Sequence, residues 1–234
     1  MACVGADIMA IHIPRTGGRS IGRMLGLARR GQSLDPVVNH ESWGHVCGLH
    51  GPRPVMLGVW REPADWYASM ASSSLACHRD WLWPYLEVVG DDPLDLVAAM
   101  VDPDSAGVLV PEGAEGDQHI LRPDAGRSLL SSLYVRQFMR PGARGVSLEK
   151  LEAHHAAYIG LTHMVSFGQL YEGLRELCPD VGAEVRYREF VEERPSVAGI
   201  YDSPKGRAVL DAIERQDGWL LRRFRDMPAC LRVS

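Results

Sequence analysis

The sequence predicts an α/β fold built on a central parallel sheet, and three observations predict it. The apolar runs at residues 7–13 and 54–60 are continuous rather than alternating, as suits strands buried on both faces. Each run breaks at glycine or proline and resumes as a helical pattern. Strand and helix patterns then keep alternating, which is the order of a sheet covered by helices on both sides, a three-layer α/β/α arrangement.

The first strand, Asp7 to Ile13, runs into PRTGGRS, after which Ile21, Met24, Leu25 and Ala28 share one helical face. Strand, glycine turn and helix together make a phosphate cradle. The first-turn amides of a helix lack intrahelical acceptors, and glycine lets an anion come close to them. The second strand, PVMLGVW, delivers Arg61 and Glu62, and Pro63 stands at the first position of a helix that continues through WYASMASSSLA. Another proline-initiated helix follows Asp91 and Asp92 in PLDLVAAM. Residues 103–127, rich in Gly, Pro and Asp, read as a long functional or mobile loop. Helices follow in SLLSSLYVRQFM and SLEKLEAHHAAY, then a strand in THMVSF and a helix in QLYEGLREL. RYREFVEERPSVAGIYDSPKG carries no clear period. In the last helix Val209, Ile213, Leu220 and Phe224 form one stripe, with Arg222, Arg223 and Arg225 off it.

With 234 residues, 46% hydrophobic and 24% charged, the chain is sized for one domain, 1–234, around a single core. A net charge of −5 without a Lys/Arg run speaks against a nucleic-acid partner, because binding a phosphate backbone takes clustered positive charge. Five scattered cysteines, an odd number, point to a reducing compartment rather than a disulfide framework. MACVGADIMAIHI lacks a basic leader, and no apolar run reaches the roughly 20 residues of a membrane span, so the expected location is cytoplasmic.

Two kinds of phosphate cradle fit residues 11–25. In the nucleotide-triphosphatase pattern G-x-x-x-x-G-K-[ST], aligned on Gly18, Arg19 and Ser20, Ile13 falls on the first glycine and Arg19 on the lysine, which is half a motif. Such proteins also hold Mg²⁺ with an acidic residue at the end of a second strand. Here that strand ends in Arg61, which suits a second anionic group on the ligand.

IHIPRTGGRS resembles the HIPKTGGTS loop of carbohydrate-type sulfotransferases, and WREPADWYAS resembles their RDPVERFLS segment. SLYVRQFM, THMVSFGQLYEGLREL and the terminal helix carry weaker similarity to later family segments. The resemblance implies the P-loop-like sulfotransferase fold and 3′-phosphoadenosine 5′-phosphosulfate as donor, with no metal. It assigns Arg15, Thr16, Gly17, Gly18, Arg19 and Ser20 to the 5′-phosphosulfate, and Arg61 and Ser69 to the 3′-phosphate. Arg15 stands where the family has lysine, Arg19 where it has a small hydroxyl residue, and Trp66 where it has arginine. Arg15 would also act in catalysis, neutralising charge as the bond to sulfur breaks; it can fork onto two oxygens but will not give up a proton.

The acceptor hydroxyl must lose a proton, a task suited to histidine near neutral pH. HESWGHVCGLH supplies His40, His45 and His50; WGHV and CGLH resemble segments of two family branches, which favours His45 as the base with His50 as the alternative. His45, Cys47 and His50 also raise a zinc site, at unusual spacing and without a CxxC partner. The expected activity is sulfuryl transfer to a hydroxyl of a carbohydrate or glycosylated metabolite. The rivals are a P-loop ATP-dependent kinase or triphosphatase and a catalytically silent nucleotide-binding protein.

Overall fold

A computed structural model describes residues 3–25, 28–29, 42–76, 89–105, 123–179 and 199–233 of the chain. Its strands are β1 (Cys3–Val4), β2 (Ile8–Ala10), β3 (Ala28–Arg29), β4 (Val55–Trp60), β5 (His163–Ser166) and β6 (Cys230–Arg232), in one sheet of order β3-β1-β2-β4-β5-β6. The fold is mixed α/β, and the parallel sheet expected from the sequence is parallel only at its centre. Ile8 pairs with Val55 and Leu57 with His163 in parallel register, whereas β1, β3 and β6 join antiparallel. Chain length explains the β1 edge: Gly5 N donates to Ile8 O at 2.8 Å in a turn far too short for a parallel crossover.

The helices are α1 (Gly18–Met24), α2 (Trp43–His50), α3 (Pro63–Ala76), α4 (Pro93–Val101), α5 (Leu129–Phe138), α6 (Leu148–Ala153), α7 (His155–Tyr158), α8 (Leu170–Leu177) and α9 (Pro204–Phe224). Most of the long loop expected at 103–127 and much of the aperiodic stretch after 186 lie outside the described residues. Among the described residues no helix is long and apolar enough to cross a membrane.

The chain divides into two compact units: Met1–Arg61 with Tyr134–Glu192 and Arg223–Ser234, and Glu62–Leu133 with Glu193–Arg222. In the first unit the side chains of Ile8, Ala10, Leu57, Val59 and Val165 alternate onto one sheet face and bury against Ile21 and Met24 of α1 and Leu170 and Leu174 of α8. On the other face the Trp60 ring meets Phe224 at 5.1 Å, and Phe224 in turn meets Tyr134 at 5.9 Å and His155 at 5.8 Å. Gly58 lies mid-strand because a Cβ there would overlap Leu161 Cδ1; a side chain on the neighbouring segment fills the space.

The second unit is helical. The carboxylate of Asp92 caps α4, accepting from Leu94 N at 2.8 Å with Pro93 at the first turn, and Leu96, Val97 and Met100 are buried. Its interior holds a carboxylate, Asp217, with no exposed surface. Tyr67 Oη donates to it at 2.8 Å, and Ser128 Oγ and Ser131 Oγ each donate at 2.6 Å. Trp219 Nε1 donates to Ser131 Oγ at 2.9 Å, extending the network.

Candidate functional site at the carboxyl ends of the central strands

In an open α/β sheet the carboxyl ends of parallel strands are where loops converge and ligands bind. Here β2, β4 and β5 end together. Past β2 the backbone still pairs, Ile11 N donating to Leu57 O at 2.8 Å, and then turns over at Pro14 to Thr16. Arg15 adopts φ +64° and Gly17 φ +78°. Thr16 is fully buried, its hydroxyl donating to Ile13 O at 2.8 Å, which closes the turn on itself. Helix α1 begins at Gly18, with Ile21 N donating to Gly17 O at 3.0 Å.

Internal packing also requires the two glycines. A Cβ on Gly18 would overlap the ring of His12, itself 7% exposed, and a Cβ on Gly17 would come 3.1 Å from Phe167 Cε2 on top of the positive φ. Two rings are thus wedged against the tight loop.

Arg61, the residue after β4, reaches across to this loop. Its Nη1 donates to Arg15 O at 2.9 Å, and its Cζ lies 4.5 Å from the centroid of the Phe167 ring. Phe167 follows β5 directly. The ends of three neighbouring strands are thus tied together by one guanidinium and one aromatic ring, with Arg15 and Arg61 giving the site its positive charge.

Of the residues singled out in the sequence, Arg15, Thr16, Gly17, Gly18, the backbone of Arg19, Ser20 and Arg61 come together here. Ser69 lies on α3, in the second unit. His45 and His50 do not join the site. They lie on α2, which is attached to the opposite, amino-terminal edge of the sheet at both of its ends. Trp43 packs where a Cβ of Gly160 would be, just ahead of β5, and Gly44 faces Pro141. At the other end Arg53 Nη1 donates to His50 O at 2.6 Å and Arg53 Nε to Gly5 O at 3.0 Å, in the turn preceding β2. A six-residue strand, about 20 Å long, separates the two edges. The two histidines offered for the base, His45 and alternatively His50, thus sit on a helix fastened at the amino-terminal edge, whereas the Arg15 loop follows the carboxyl end of β2. Among the described residues no three His, Cys, Asp or Glu side chains gather as a metal-ligand set, so His45, Cys47 and His50 do not converge either.

Sequence reasoning missed Phe167 and His12. In the sequence Phe167 reads only as the last residue of the strand THMVSF, and His12 was concealed within an apolar run, where a histidine reads as core. Compared with known proteins, the chain matches no family model, no curated protein and no solved structure at a significant level.

Proposed function

We propose that the chain binds a nucleotide with two anionic ends, 3′-phosphoadenosine 5′-phosphosulfate, and acts as a sulfotransferase toward a hydroxyl of a carbohydrate or glycosylated metabolite. The single observation that carries this reading is the hydrogen bond from Arg61 to the Arg15 carbonyl, which brings the two family-like motifs into contact. Arg15 and the turn from Thr16 to Ser20 would hold the 5′ end, and Arg61 the 3′-phosphate. The turn held shut by the Thr16 hydroxyl, with Arg15 in it and Arg61 against it, suits such a donor chemically: backbone amides and forked cations recognise phosphate and sulfate oxygens without a metal. When bound, the donor supplies an activated sulfuryl group; the chain's part is to orient it and to neutralise charge with Arg15 as the phosphate departs. With both histidines at the other edge, this reading assigns the proton-accepting role to no residue.

That same placement favours a second reading, a nucleotide-binding protein without turnover. A melting scan with adenosine 3′,5′-bisphosphate, with ATP, and with ATP plus Mg²⁺ separates the possibilities. The bisphosphate at about 100 times its Kd should stabilise the protein by about 2.7 kcal/mol without metal. Arg61→Ala should weaken it roughly 10- to 150-fold, the value of a charge-assisted hydrogen bond. Stabilisation by ATP with Mg²⁺ but not by the bisphosphate would overturn both readings in favour of a P-loop kinase or triphosphatase. Bisphosphate binding without consumption of labelled donor over a panel of sugar acceptors would select the silent protein.

A further inference from the structure

We infer that Phe167 is a positioning residue of this site, holding the Arg61 guanidinium over the Arg15 loop and so setting how strongly the chain distinguishes a nucleotide with two phosphate-bearing ends from one with a single end. The inference rests on the donor-binding reading and deepens it. Three contacts carry it. The Phe167 ring lies beneath the Arg61 guanidinium, 4.5 Å from centroid to Cζ. Its edge closes on Gly17, where a Cβ would be 3.1 Å from Cε2. Arg61 in turn donates to Arg15 O at 2.9 Å, so ring, guanidinium and loop form a closed circuit.

Phe167 is only half-buried: it packs against the core that Leu170, three residues on at 3% exposed, fills, and keeps part of its ring outside it. An aromatic ring in that place has a π face that attracts a cation, beyond the space it fills. Arginine has several rotatable bonds to immobilise when it grips an anion. A guanidinium already stacked and tied to a carbonyl has given up that freedom before the ligand arrives, which is preorganisation. An aliphatic residue of similar size would fill the gap beside Gly17 but offer the Arg61 guanidinium no π face, leaving its orientation to the bond with Arg15 O and its other contacts.

The test is calorimetric titration of wild type, Phe167→Leu, Phe167→Met and Phe167→Tyr with adenosine 3′,5′-bisphosphate and with adenosine 5′-monophosphate, which lacks the group assigned to Arg61. The Leu and Met variants should bind the bisphosphate roughly 3- to 10-fold more weakly and the monophosphate nearly as well as wild type, so that the preference between them falls. Phe167→Tyr, which keeps the ring, should restore the preference. Melting of each apo variant checks folding, and Met offers a second ringless side chain should Leu fail to fold. An unchanged preference in the ringless variants, or a Tyr variant as impaired as Leu, overturns the role of Phe167 and leaves the donor reading standing. A wild type that binds neither nucleotide overturns both.

Discussion

His155, 2% exposed, has its Nε2 3.0 Å from Tyr134 Oη, while Nδ1 is buried without a partner. Burial, helped by the nearby Arg223 charge, lowers its pKa from 6.5 to about 4. The folded state therefore resists the proton that the unfolded chain accepts. Its contribution is present above pH 6.5 and is lost as pH falls toward 4, by up to about 3 kcal/mol. His155→Phe should remove that acid loss, read as a flatter pH profile in urea unfolding between pH 7 and 4.5. Asp217 works in the other sense. Burial raises its pKa above 3.8, and the three hydroxyl donors only partly offset this. The fold thus holds a proton there more tightly than the unfolded chain does, so this group favours the folded state more as pH falls from neutral toward 3.8. The deficit of Asp217→Asn relative to wild type should widen over that range, as the same unfolding series would record. At Gly18 the expectation is steric: Gly18→Ala should cost about 1–3 kcal/mol through overlap with His12, partly recovered when His12→Ala is added.

At the scale of elements, what the sequence disclosed depended on how many residues shared a pattern. The helices starting at Pro63 and Pro93 were marked by proline at the first turn and by the apolar face behind it. Strands β1, β3 and β6, at two or three residues each, are too short for any period to register, so the antiparallel edges went unseen. Helix α2 was missed for another reason. WGHVCGLH contains two glycines and no clear apolar stripe; it is helical because Ser42 Oγ accepts from His45 N at 3.3 Å and Trp43 is packed against Gly160. Its histidines were set near the donor only because WGHV and CGLH resemble family segments, a likeness that carries no geometry. Gly160→Ala should displace Trp43 and cost about 1–3 kcal/mol. His45→Ala, in contrast, should leave the melting shift caused by adenosine 3′,5′-bisphosphate unchanged; a lost shift would return His45 to the site.

For the molecule as a whole, the Arg15 loop and Arg61 were legible because each follows a continuous apolar run, residues 7–13 and 54–60, and adjacency of those runs in the sheet was all that remained to be found. The division into two units was not legible, since composition carries no record of which helices share a core. If each unit keeps its own interior, Asp217→Asn should lower amide-exchange protection in residues 62–133 well before it does so in β4 and β5. Equal loss of protection in both regions would show a single cooperative core.

Glycines wedged against larger neighbours recur through the first unit: Gly18 under His12, Gly58 beside Leu161, Gly160 under Trp43, and Gly173 against the Ala229 carbonyl. Where the neighbour is a side chain, neither member can drift alone in evolution. A methyl gained at position 58 calls for a smaller residue at 161, and likewise for 160 with 43 and 18 with 12. Distant kin of this chain should thus be recognisable by paired replacements at these couples even where the arginines have been exchanged.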